Sequence, residues 1–303
     1  MEFKKPRESL VQNITFMAMM AAINVVFVVL TTLVPVLVFL IVFILPLTSV
    51  LVTLHCKKIY FPIYAVATIG LCLICTIWKI DDTIFYVIPS IITGFVFGLL
   101  VQYKVPSFWI IISTTIIQIG FTYASMPLIK FMTGRDIVEV FASAFGILDF
   151  KYLNYVVPCF IFFIALGQEI IAYFIIADEL PKFGYELNEP KNLPLSLFIC
   201  LNSAIVLSII FIFIYGPLSY LFMLFALLLA IYSLIYLIKA NKPWIYASLV
   251  SGFILALFLF AICYPLVKEP LGLVFINIYF FIVSIIVFIN NYLFKQKNIA
   301  TIK

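Results

Sequence analysis

The chain has 303 residues, of which 66% are hydrophobic and only 10% charged, with a formal net charge of +5 and a mean hydropathy of +1.27. A soluble domain has about a quarter of its residues charged, so a water-soluble enzyme is excluded. A nucleic-acid-binding domain is excluded too, because no soluble face is left to carry a basic patch. A hydrocarbon layer about 30 Å thick takes about 20 apolar residues per helical span, and such stretches follow one another along the chain. Open sheet edges cannot be satisfied in lipid, and no alternating ten-residue barrel pattern is present. The expected fold class is all-α: a polytopic helical membrane protein with the lipid bilayer as its solvent.

About ten spans are predicted, at 10–33, 35–54, 59–78, 84–101, 106–126, 152–177, 193–215, 218–238, 244–264 and 271–294. The first follows a basic start and is too long in its apolar region for a cleavable signal peptide. It carries Ala18 and Ala22 four residues apart, a spacing that lets another helix approach closely. Pro35 separates it from the second span, since proline removes a helix donor and restricts the residue before it. His55, the single histidine, stands beside Lys57 and Lys58 at the end of the second span and reads as an interfacial residue.

The loop after the third span reads WKIDDTIFY. The loop at 127–151 places Ile137, Val138, Phe141, Ala144 and Phe145 at helical spacing, with Arg135, Asp136 and Glu139 opposite. That pattern predicts an amphipathic helix lying on the surface or lidding a cavity. The segment 178–192 is the most polar and proline-rich stretch of the chain. It divides a six-span bundle, residues 1–180, from a four-span region, residues 181–303. No repeat relates the two halves.

Orientation follows from lysine and arginine in the loops. With a cytoplasmic N-terminus, thirteen basic residues fall on the cytoplasmic side. Five fall outside, Lys79, Lys130, Arg135, Lys151 and Lys268. Both termini are therefore expected in the cytoplasm of a multi-pass protein.

Few residues offer chemistry. One histidine gives a metal site or a Ser-His-Asp triad little to draw on. The six cysteines include one CxxC, Cys72 and Cys75, inside an apolar span with no second pair. No phosphate-binding GxxxxGK[ST] occurs. No catalytic residue, metal or cofactor is expected, and no enzymatic activity. Glu169, beside Gln168, is the one carboxylate inside a span. Such a group is costly in hydrocarbon and usually faces a partner or a cavity, so it reads either as a proton- or substrate-coupling carboxylate or as a structural hydrogen bond. The midspan amides Asn24, Gln118, Asn202 and Asn277 read as helix–helix glue or as ligands. The expected outer rim collects Trp78, Lys79, Asp81, Asp82, Tyr86, Tyr123, Lys130, Arg135, Asp136 and Glu139. Both charge signs and aromatic planes suit a small polar solute. The plainer alternative is a solvated aromatic belt.

The stretch ITFMAMMAAINVVF, after a basic start and before two short-looped spans, resembles the substrate-binding S components of energy-coupling-factor (ECF) vitamin transporters. The resemblance implies a six-span bundle whose Ala18–Ala22 face docks a transmembrane coupling subunit driven by ATPase subunits. It also implies outer loops that close over a vitamin or metal ion. Over its whole length the chain is more similar to the YybS-type family of bacterial membrane proteins, which are S-component-like with extra C-terminal spans. The matching stretches are LTTLVPVLVFLIVFILPLTSVL, IIADELPKFGYELNEPKNLPLSLF and KEPLGLVFINIYFF. The chain departs from that family where an acidic residue is expected after the final Gly-Leu, because Gly272-Leu273 is followed by Val274, Phe275, Ile276 and Asn277. The implied function is recognition and uptake of a vitamin-like micronutrient at the bacterial cell membrane, the solute itself unidentified. The alternatives are a stand-alone proton-coupled or lipid-handling transporter that uses Glu169, and a structural partner in a membrane complex.

Overall fold

The computed structural model describes residues 9–34, 37–144, 146, 151–185, 187–188, 193–267 and 271–300, without the side chains of 38–43, Asp82, Ala144 and 293–300. Pro35, Phe145, Lys191, Lys268, residues 189–190 of the polar linker and both chain termini lie outside the described residues.

The described chain is all-helical. Its helices are α1 (Leu10–Leu33), α2 (Val38–His55), α3 (Phe61–Cys75), the single turn α4 (Ile80–Asp82), α5 (Ile88–Gln102), α6 (Ser107–Thr133), α7 (Ile137–Ala144), α8 (Leu153–Glu179), α9 (Leu193–Ile214), α10 (Gly216–Lys239), α11 (Pro243–Cys263) and α12 (Asn277–Ala300). Among the described residues, nine stretches are long and apolar enough to cross a membrane: Leu10–Leu33, Lys58–Cys75, Thr83–Gln102, Ser107–Thr133, Leu153–Phe183, Leu193–Ile214, Gly216–Lys239, Pro243–Leu266 and Leu271–Tyr292. The expected span at 35–54 falls on α2, whose described apolar stretch, Ile44–His55, is shorter.

Large apolar side chains point outward along these helices, with Phe131 88% and Phe213 81% exposed. In water such surfaces would be an aggregation hazard. Lipid is as apolar as leucine, so there they cost nothing. The interior is correspondingly rich in small and polar residues, among them Asn13, Asn24, Thr48, Ser49, Thr68, Thr93, Gln118, Ser208 and Ser219. This is the pattern of a multi-pass integral membrane protein.

The chain forms two compact units, Met1–Gly146 with Phe163–Pro190, and Ile147–Phe162 with Lys191–Lys303. In the first, Ser9 caps α1 by accepting from the Gln12 amide at 3.2 Å. The helix buries Met17, Met20, Ala21, Asn24 and Val28, residues three and four apart that share one face. Ala18 and Ala22 are exposed on the other side. Three helices are tied by a hydroxyl–amide triangle: Asn24 donates to the Tyr64 hydroxyl at 2.8 Å, and Thr48 donates to Asn24 Oδ1 at 2.8 Å. The midspan amide of α1 is therefore helix glue.

The tightest approach in this unit is between α2 and α5. A Cβ at Gly94 would stand 2.5 Å from the Pro46 carbonyl oxygen and 2.6 Å from Ser49 Cβ. A Cβ at Gly98 would stand 2.7 Å from Thr53 Cβ. Two glycines four apart face a serine and a threonine four apart, so the backbones close where side chains are smallest. His55 is buried, 3% exposed, and ringed by Phe16, Phe183 and Tyr185 at centroid distances of 5.9, 5.5 and 6.0 Å. The three rings stand steeply to its plane, at 80°, 62° and 71°. After α8 the chain returns to the α5–α6 turn, where Asn188 donates to the Lys104 carbonyl at 2.7 Å and accepts from the Ser107 amide at 2.9 Å.

In the second unit α9 packs between α10 and α12. Asn202 and Ser284 exchange hydrogen bonds at 3.1 and 3.2 Å, Asn277 donates to the Ser208 hydroxyl, and Ser219 donates to the Ser208 carbonyl at 2.6 Å. These amides also act as glue. The last span is not one helix: residues Leu271–Ile276 wind as a tighter 3-10 turn before α12 begins.

Candidate functional site

The segment between α3 and α5 and the segment around α7 meet in the first unit. After α3 the chain turns through α4 and then a π-helical stretch, Thr83–Val87. Thr83, Ile84, Phe85 and Val87 are all buried in this turn. Turns of this kind are frequent at functional sites. The hydroxyls of Thr76 and Thr83 pair across the turn.

α6 supplies the other side. The sequence places the end of its span near residue 126, but the helix runs to Thr133 with Pro127 inside it. The stop signal is Gly134, whose φ of 72° is the left-handed cap position that glycine fills without strain. Asp136 then starts α7 by accepting from the Val138 amide at 2.9 Å, with Glu139 three residues on in the first turn. The pattern Asp-x-x-Glu before an apolar run is a helix-start signature, and it is the signal that gives Asp136 a capping role beyond a rim charge.

Two ion pairs cross this region. Arg135 Nη1 lies 3.3 Å from Asp81 Oδ2, and Lys130 Nζ lies 2.7 Å from Asp136 Oδ2. The hydrogen bond from Lys130 holds the Asp136 carboxyl below the usual carboxylate range, helped by the Val138 amide. Beneath them Ile84, Phe85, Ile129 and Ile137 form an apolar knot, packed against by Tyr86 and Phe141. Arg135 and Asp81 thus neutralise each other, where the sequence offers each to a solute.

The expected site residues are partly assembled. Asp81, Tyr86, Arg135 and Asp136 come together on this patch. Trp78 stands at its margin, 64% exposed. Glu139 is exposed on α7. Tyr123 is half-buried on α6, seven residues before Lys130, so it lies on the same helix face about 10 Å along the axis. The side chain of Asp82 is outside the described part. No group of histidine, cysteine and acidic side chains able to hold a metal occurs among the described residues.

Glu169 sits elsewhere in the same unit, 3% exposed. Next to it Gln168 accepts from Gln118 Nε2 at 3.0 Å, and Gln118 Oε1 accepts from Thr93 at 2.7 Å. These amides join α5, α6 and α8.

Comparison with known proteins returns no relative: no family model matches the chain, no curated protein matches its sequence and no solved structure matches its fold.

Proposed function

We propose that the protein recognises a small polar solute for uptake across the membrane, in the manner of an ECF S component. The reading is carried by one observation, the convergence of the Asp81–Tyr86 segment with the Gly134–Phe141 segment, tied by the Arg135–Asp81 ion pair. Two loops that close on one another by an exchangeable ion pair suit a capture site. A solute carboxylate competes for Arg135, or an amine for Asp81, and bidentate pairing of a carboxylate with arginine is among the stronger polar contacts. Trp78 and Tyr86 supply apolar planes for the rest of the molecule. The exposed Ala18 and Ala22 of α1 suit close docking of a coupling subunit, with energy from separate ATPase subunits.

The test uses a panel of water-soluble vitamins against the purified protein, read as thermal stabilisation. A solute that stabilises the wild type binds Arg135→Ala at least about tenfold more weakly, roughly 1.4 kcal/mol. Without solute the variant keeps its unfolding midpoint, because an exposed ion pair contributes about 0–1 kcal/mol. Equal affinity in both proteins overturns the reading.

A further inference from the structure

The buried carboxylate of Glu169 is not used by that capture site, and its surroundings define which of its two forms the packed structure accepts. The ion pairs among the described residues join Lys130 to Asp136, Arg135 to Asp81 and Lys182 to Glu179. None involves Glu169. A carboxylate that is ionised inside a membrane bundle pairs with a cation or faces water, and at 3% exposure Glu169 does not face water.

Its polar neighbour is the hydroxyl of Thr114 on α6. That hydroxyl lies 2.8 Å from the Ile110 carbonyl oxygen and 3.2 Å from the Ile111 carbonyl oxygen. Carbonyl oxygens only accept, so the single Thr114 proton is shared between its own helix and Glu169, and no cation among the described residues stands beside it to offset a buried full charge.

The other titratable groups stand away from this contact. α8 packs on α2, α5 and α6 through Val50, Leu54, Phe97, Val101 and Ile110. α5 has no titratable side chain. α2 has His55, enclosed by Phe16, Phe183 and Tyr185. On α6, Tyr123 and Lys130 lie about 13 and 24 Å along the helix from Thr114. On α8, Tyr173 is one turn on, with its ring against Phe97. Asp178 and Glu179 are more than two turns on, about 13 to 15 Å away.

We propose that Glu169 is a reversible proton-binding site: it carries a proton while α8 is packed on α6 and gives it up only when the two helices part. Proton release and helix movement are then one event, which is the linkage a proton-coupled conformational cycle needs. The Thr93–Gln118–Gln168 hydrogen bonds hold the three helices in register, so Glu169 returns to the same Thr114 contact each time. The site stands on its own, whichever residues capture a solute.

Two measurements on the full chain test this. The first is thermal unfolding in detergent from about pH 5 to about pH 9, a range that spans documented values for buried glutamates. The wild type loses stability as the pH rises through this range, while Glu169→Gln, which cannot ionise, stays flat. Parallel profiles overturn the proposal. The second is labelling with dicyclohexylcarbodiimide, which enters lipid and attacks protonated buried carboxyls. Mass spectrometry then finds the adduct on Glu169, strong at low pH and fading as the pH rises, and a water-soluble carbodiimide leaves the residue untouched. Absence of the adduct at every pH also overturns the proposal. The labelling needs only the wild type, so it decides the matter even where Glu169→Gln does not fold.

Discussion

The two units solve the same packing problem with different polar groups. The second, with α9 to α12, joins its helices through Asn202, Ser208, Ser219, Asn277 and Ser284, all of them neutral. Its sequence holds two acidic residues, Asp149 and Glu269, neither inside an apolar span. The first unit uses the same glue in the Asn24–Thr48–Tyr64 triangle, then adds a buried carboxylate and a patch of ion pairs. Neutral pairs hold helices at little cost, whereas an ionisable group inside a membrane costs several kcal/mol and is retained where it acts. The ion pairs and the buried carboxylate lie in the first unit, while in the second Lys242, at the start of α11, donates to Asn290 Oδ1 at 2.8 Å.

The largest expected effect separates the units by their glycines. Gly94→Ala puts a methyl group against backbone atoms of α2, which cannot rotate away, and overpacking of this kind costs about 1–3 kcal/mol. Gly252→Ala meets the side chain of Ile282, its Cγ2 methyl at 2.6 Å. That methyl sits on a β-branched carbon that is stiff at χ1, so it yields only in part, but it is side chain and not backbone, and the expected cost is smaller than at Gly94. Unfolding midpoints in detergent check both, and equal shifts would break the contrast.

A smaller difference is expected between the amides. Asn24→Ala strips a donor and an acceptor from two buried hydroxyls and costs about 1–3 kcal/mol. Asn202→Ala removes one interhelical pair, typically about 0.6 kcal/mol in a membrane bundle. Denaturation of the two variants side by side sharpens or reverses that order.

The smallest effect belongs to the Lys130–Asp136 pair. Because the Asp136 carboxyl is held below its ordinary range, its contribution is present above an unfolded value of about 3.9. It fades as the pH falls through the lowered folded value. Hydrogen exchange in α7 should therefore differ between wild type and Asp136→Asn near neutral pH and converge in acid. A difference that persists in strong acid would remove the pair from the account.

Much of the helical framework is legible in the sequence, because span length and charge are bulk properties of a chain in lipid. The amphipathic reading of residues 137–144 matches α7, with Ile137 and Ala142 buried and Glu139 exposed. The seam is a different case. Ala18 and Ala22 stand out in the sequence and are exposed, as a face for another chain would be, while the close approach inside the unit is made by Gly94 and Gly98 in TGFVFG. Hydropathy cannot separate a lipid-facing stripe from a protein-facing one, since both are apolar. The span reading stops at 126, yet α6 continues through Pro127, because a proline inside a long membrane helix is tolerated where neighbours satisfy the freed carbonyl. The two segments of the candidate site are both recognisable from composition. Their ion pair is not, because pairing Asp81 with Arg135 requires knowing that α6 overshoots its apolar window and delivers Gly134 beside the π turn.

The return of Asn188 to the α5–α6 turn bears on how the ribosome delivers this protein. The first unit is built from residues up to Pro190, so its clasp at Asn188 can form before the chain beyond is made. The second unit is assembled out of order. Tyr155, which packs on Tyr220 at 5.3 Å and against Gly216, is synthesised before the first unit is finished. A nascent chain halted at the polar linker thus holds one completed bundle and the opening strip of another, waiting in the bilayer for helices that have yet to emerge.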